Sequence, residues 1–319
     1  MPPIDHAPNR ADEHGHEPVM PAETMDALRP APGATIVDCT LGRGGHARLI
    51  AEQLGSTGTL IGLDADPRNL DYAKQRLGGA PCRVRLFHAN FAQLDQVLDE
   101  AGVPAAHGIL ADLGLSTNQF LDPSYGLSFS TDSPLDMRID PRSRTTAADI
   151  VNRFGERELA DLIYQLSDER FSRRIARKIV EARRLSPITT TRQLAELVRS
   201  VLPFPRGGGR RGAGRTASSA VTLDPATRTF MALRMAVNAE TGNLDRLLCV
   251  APGRLTCGGR IAVISFHSVE DRAVKQAFRS AEQTGVLAIL TKKPLSPSDA
   301  EIDRNPRARS AKLRVAERQ

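Results

Sequence analysis

The sequence predicts an α/β fold, a parallel sheet with helices on both faces, interrupted by a helical insertion. Three observations carry this. Short apolar runs alternate with helical periodicity from Thr35 to Leu113. A glycine-rich turn, Gly42-Arg-Gly-Gly45, follows the first run. Strand alternation then stops after Leu115 and resumes only at Arg260–Phe266. Strand–helix alternation of this kind builds a sheet covered by helices.

The predicted strands are Thr35–Cys39, Thr59–Asp64, Val84–His88 and Gly108–Leu113. The predicted helices between them are His46–Leu54, Pro67–Leu77 and Phe91–Glu100. Ala47, Ile50, Ala51 and Leu54 repeat on one face of the first. Pro67 suits a first helical residue, with Asp66 as its cap. Residues 116–145, rich in Ser, Thr, Asp, Pro and Gly, read as an extended loop, and 146–202 as almost wholly helical. Leu159, Leu162, Ile163 and Leu166 keep helical spacing, as do Leu194, Leu197, Val198 and Val201. A helix over Thr229–Arg246 is expected to return the chain to the sheet, and a last strand is expected at Ala311–Ala316.

The domain reading is therefore a disordered tail at 1–15, an α/β domain of 16–118 with 222–319, and an inserted helical substrate-binding domain of 119–221. The Arg/Gly-rich stretch 206–215 reads as a flexible linker or as an RNA-contacting loop, since arginine pairs with phosphate and stacks on bases.

A chain of 319 residues is long enough to bury a full core and favours two domains. No apolar run reaches the roughly 18–20 residues needed to span a bilayer, and no membrane association is expected. The polar start of the chain lacks an apolar signal core. Cys39, Cys82, Cys249 and Cys257 show no paired spacing, so neither a metal site nor a disulfide framework is indicated and a cytoplasmic location is expected. A formal charge of +6 and a pI of about 9.4 suit a polyanionic partner.

The chemistry gathers at strand ends. The turn after the first strand has neither the Gly-x-Gly-x-x-Gly dinucleotide spacing nor the Lys-Ser/Thr of a Walker loop. It favours a nucleoside ligand without a pyrophosphate. Asp64 ends the second strand, where a carboxylate accepts both hydroxyls of a ribose. Asp112 ends the fourth strand and is expected to face the same crevice. Phe91 follows the third strand, where a ring covers a flat base or joins the core. His267 follows the fifth strand, as a hydrogen-bonding or proton-accepting group or as a structural tie in a loop. Arg173, Arg174, Arg177 and Lys178 lie on a basic helix with Ile175 and Ile179 on its inner face. With Arg309 near the C-terminus they are the candidate RNA contacts.

These features resemble class I, Rossmann-like S-adenosylmethionine-dependent methyltransferases. Successive blocks extend the likeness: His16-Glu-Pro-Val-Met20, Thr40-Leu-Gly-Arg-Gly-Gly-His46, Asp112-Leu-Gly-Leu-Ser116, Ser133-Pro-Leu-Asp-Met-Arg138, Pro225-Ala-Thr-Arg-Thr-Phe230, Ser265-Phe-His-Ser-Val-Glu-Asp-Arg272 and Asn305-Pro-Arg-Ala-Arg-Ser310. In this order they resemble the MraW family of bacterial small-subunit (16S) ribosomal RNA cytosine-N4 methyltransferases. The resemblance implies S-adenosylmethionine as cofactor, held by Gly44, Gly45, His46, Asp64, Phe91, Asp112 and Gln119. It implies 16S ribosomal RNA within the small subunit as substrate, modified near the decoding centre. It leaves the group that activates the amine open, with Asp112 and His267 as candidates. The Asn/Asp/Ser-Pro-Pro-Tyr/Phe segment of DNA amino-methyltransferases is missing after the fourth strand. Two alternatives stay open: a DNA amino-methyltransferase, and a non-catalytic RNA-binding factor in ribosome assembly. A homodimer is the commonest assembly of such enzymes.

Overall fold

The computed structural model describes residues 18–202 and 224–319. The expected tail at 1–15 and the Arg/Gly loop at 206–215 lie outside the described residues. The chain divides into two compact units, one of Met1–Ser116 with Asp245–Gln319, the other of Thr117–Leu244.

The first unit opens with α1 (Pro21–Leu28) and then alternates: β1 (Thr35–Asp38), α2 (Gly45–Leu54), β2 (Thr59–Asp64), α3 (Pro67–Arg76), β3 (Arg83–His88), α4 (Leu94–Ala101) and β4 (Ala106–Asp112). β1, β2 and β4 are apolar on both faces. Ile36, Val37, Leu60, Ile61, Leu63, Ile109 and Leu110 are almost fully buried, and a parallel sheet between helices buries both of its faces. Each such Leu or Ile contributes about 1.5–3 kcal/mol by burial. Asp66 caps α3 by accepting from the Arg68 N–H at 3.0 Å, with Pro67 in the first turn. The expected helix from Phe91 begins instead as a 3-10 turn, Phe91–Gln93, because the Asn90 and Gln93 side chains close a reciprocal cap there.

The second unit contains α5 (Thr117–Leu121), α6 (Ala147–Arg153), α7 (Glu156–Ser167), α8 (Ser172–Arg183), α9 (Thr191–Val201) and α10 (Thr227–Val237). Its core joins Leu159, Ile163, Ile175, Ile179, Leu194, Val198, Phe230 and Leu233. α5 falls inside the stretch expected as loop. The expected single helix Thr229–Arg246 is two helices, α10 and α11 (Glu240–Val250). They break where Ala239 takes a left-handed φ of 48°. Asn238 there accepts from the Ile139 N–H at 2.9 Å and donates to the Met137 carbonyl at 2.8 Å. These bonds hold the end of α10 to its own unit, so the chain leaves that unit after Leu244 and not at 222.

The first unit resumes with β5 (Leu255–Ser265), α12 (Ser268–Gln283), β6 (Leu287–Ile289), α13 (Asp299–Arg304) and β7 (Lys312–Arg318). The sheet order is β3-β2-β1-β4-β5-β7-β6. The first five strands are parallel; β7 runs antiparallel between β5 and β6. This is the fold class that the resemblance implied. Sequence reading missed β6, three residues long and without clear alternation. It also started β5 five residues late, because Cys257, Gly258 and Gly259 interrupt the apolar pattern.

Candidate functional site

Asp38, Asp64 and Asp112 end β1, β2 and β4, three neighbouring strands of the sheet. Crevices at the carboxyl ends of such strands are where ligands bind. Asp64 is the most elaborately held. Its Oδ2 accepts the Gly42 N–H at 2.7 Å and the Asn69 side-chain amide at 3.3 Å, and its Oδ1 accepts the Asp66 N–H at 2.8 Å. Gly42 and Gly44 bring the turn there with left-handed φ values of 51° and 76°, which glycine adopts without a Cβ penalty. Burial pushes the Asp64 carboxyl up to about 7, against the pull of the donated N–H groups.

A second set lies at the ends of β1 and β4 and the start of α2. Asp38 accepts from the Thr40 N–H at 3.1 Å, and the Thr40 hydroxyl accepts from the Asp112 N–H at 2.6 Å. Burial pushes Asp38 up to about 6, while the nearby His46 pulls it down. His46 sits in the first turn of α2 on the face that also buries Ala47 and Ile50. Its ring is 6% exposed, and neither nitrogen has a hydrogen-bond partner among the described residues. Its Nε2 approaches Asp112 Oδ2 only to 3.6 Å. A buried polar group left unbonded costs about 1–3 kcal/mol, so this ring asks for a polar ligand group. Gly114 supplies close packing: a Cβ there would stand 2.8 Å from the Phe266 ring.

The structure thus gathers Gly44, Gly45, His46, Asp64 and Asp112 around the carboxyl ends of β1, β2 and β4. Phe91 is half-buried at the start of its 3-10 turn beyond β3. Gln119 is buried on α5 in the other unit. His267 caps α12: its Nδ1 accepts the Glu270 N–H at 3.4 Å, and Glu270 in return accepts the Phe266 N–H at 2.8 Å. Its Nε2 lies 3.0 Å from Glu270 Oε1 but out of line for a hydrogen bond. On α8, Arg173, Arg174, Arg177 and Lys178 are exposed, as expected of an outer face, with Arg177 3.4 Å from Glu156. Arg309 is exposed in the 3-10 turn before β7. Sequence reading missed Asp38, Thr40 and Asn69. Asp38 was visible as the acid ending the first strand; the Thr40 and Asn69 contacts depend on loop geometry that no spacing announces.

S-adenosylmethionine fits these residues. Asp64 with the glycine turn suits a nucleoside with free ribose hydroxyls, and the unbonded His46 beside Asp38 suits a charged amino-acid end. A family model described as the MraW methylase family matches residues 13–319. A protein named ribosomal RNA small subunit methyltransferase H from Acidobacterium capsulatum is 46% identical over 310 residues, covering 95% of this chain and 98% of its own length. The protein of the same name from Solibacter usitatus is 48% identical over 302 residues, covering 95% and 99%. Among solved structures, an rRNA methylase from Streptococcus thermophilus aligns over 93% of this chain and 94% of its own, at 11% identity and a TM-score of 0.42. The glycine turn, its strand-end acids and the match over nearly the whole chain have one reading: the chain belongs to the MraW methylase family.

Proposed function

We propose that this chain transfers a methyl group from S-adenosylmethionine to the exocyclic N4 amine of a cytidine in 16S ribosomal RNA, near the decoding centre of the small subunit. The observation that carries the cofactor is the Asp64–Gly42 clasp set beside the unbonded His46. The RNA substrate is supported by the names of the relatives, which describe small-subunit ribosomal RNA methyltransferases. The choice of cytosine N4 and of its position rests on the family's resemblance. Ribosomal RNA as substrate makes the cytoplasm the working compartment. A homodimer has general support only, as the commonest closed assembly.

When bound, S-adenosylmethionine supplies an activated methyl group on a sulfonium. The protein's part is to bind, orient and exclude water. Asp64 would accept from the ribose hydroxyls, its oxygens held in place by the Gly42, Asp66 and Asn69 donors. His46 would meet the polar amino-acid end. Asp112 addresses the harder problem, the nucleophile. A cytosine amine spreads its lone pair into the ring, and an acceptor on N4–H lets the nitrogen pyramidalise. Asp112 accepts that hydrogen and takes the proton the amine loses. Its backbone is fixed by the Thr40 hydroxyl, and its Oδ1 accepts the Gly114 N–H at 3.2 Å. His267 serves by holding the start of α12.

The test is transfer of labelled methyl to small-subunit particles followed by nucleoside analysis. N4-methylcytidine in RNA is expected. Label only in DNA, or in nothing, refutes the proposal.

A further inference from the structure

Far along α12 the first unit has a concavity that the cofactor pocket does not explain. It lies between α12, β6 and β7, with a volume of about 240 Å³. Phe278, nearly fully buried, and Arg314 contribute to its lining. Lys275, Arg279 and Lys292 also line it, together with a single acid, Glu282.

The charges are uneven in a specific way. Arg314 is 8% exposed and spends its guanidinium on Asp271, donating from Nε at 2.7 Å. Lys312 also reaches Asp271, at 3.4 Å. Burial pushes the Asp271 carboxyl up, but Arg314 and Lys312 beside it outweigh that and hold it below its ordinary value. Glu282 accepts the Ile289 N–H at 3.2 Å. Lys275, Arg279 and Lys292 have no carboxylate partner among the described residues. Lys275 and Arg279 stand one helical turn apart, a like-charge spacing that costs helix stability until an anion joins them.

We propose that this concavity is a phosphate subsite for the RNA backbone. The inference rests on the RNA substrate proposed above and adds where that RNA runs. α12 starts just past the carboxyl end of β5, which pairs Ile264 with Asp112. Lys275 stands two turns along the helix, about 10 Å from its start at 1.5 Å per residue. RNA lying across the strand ends continues over the outer turns of α12. Phe278 offers no exposed ring for base stacking, so the site reads the backbone and not the sequence.

The experiment measures binding of 16S ribosomal RNA by the full chain across a salt series, for the wild type, K275A/R279A/K292A and K275R/R279K/K292R. Each lost phosphate contact flattens the slope of log K against log salt by about 0.7, so the alanine variant is expected to lose about 2 from the slope and to bind roughly tenfold or more weakly at low salt. The charge-preserving variant is expected to keep both. Affinity for S-adenosylhomocysteine, which does not depend on these residues, is expected to stay unchanged in all three. A wild type that binds and methylates RNA, beside an alanine variant with the same slope and affinity, overturns this subsite alone. A wild type that binds no ribosomal RNA overturns the RNA reading and the subsite with it.

Discussion

The Gly42 N–H donates to the Asp64 carboxylate over 2.7 Å, joining the turn after β1 to the end of β2. One residue is thus both wall and clamp. The acid that would take the ribose also fixes the glycine turn beside it, so the two halves of the pocket cannot drift apart independently.

Asp64→Ala removes the ribose acceptor and the anchor of the turn together. Hydrogen bonds to charged groups are worth about 1.5–3 kcal/mol each, so the dissociation constant for S-adenosylhomocysteine is expected to rise at least about tenfold. Calorimetry measures this, with circular dichroism expected to show an intact fold. Unchanged affinity refutes the assignment.

Asp64 and Asp38 predict a pH dependence. Both carboxyls are raised in the fold, to about 7 and about 6, from an ordinary 3.8. The folded chain therefore keeps these protons to higher pH than the unfolded chain does. By linkage, the two groups make the ligand-free protein lose stability as pH rises from about 4 to about 7. A ribose binding to ionised Asp64 works in the other direction. Cofactor affinity is expected to rise between pH 6 and 8 with proton release, and Asp64→Asn is expected to flatten that profile. Calorimetry in buffers of different ionisation enthalpy reads the released proton.

Asp112→Asn keeps the shape of the strand end and removes the proton acceptor. General-base contributions are typically a hundredfold or more, so turnover is expected to fall by roughly that factor. KM for RNA and the melting temperature are expected to move little. Single-turnover methyl transfer measures it, and an unchanged rate moves the role elsewhere.

His267 is a cap by geometry. His267→Ala is expected to cost about 1 kcal/mol in denaturant unfolding, and His267→Asn, a good capping residue, to restore most of it. Asn is also expected to keep turnover. Wild-type stability with lost turnover in His267→Asn would return the histidine to the chemistry.

The sheet was legible because its signals are local: buried apolar runs, a glycine turn, Pro67 behind Asp66. The placement of Asp64 and Asp112 at strand ends was legible because each closes an apolar run. Less legible was what depends on contact between distant segments. Asn238 breaks a helix that periodicity carries straight through, because its amide holds Met137 and Ile139. Thr40 becomes part of the site only by accepting from Asp112, 72 residues away. His267 read from sequence either as a hydrogen-bonding group or as a structural tie, and spacing alone does not show that its Nδ1 accepts at the start of α12.

The order of strands has a consequence for synthesis. β4 pairs with β5, and roughly 140 residues of chain separate them. At about 5–20 residues per second, the nascent protein carries the bare edge of β4 for roughly 7 to 30 seconds before its partner strand is made. An unpaired edge of apolar strand is a template for aggregation. The ribosome that makes this chain therefore has a waiting time built into its product, and that interval is when a chaperone is most needed.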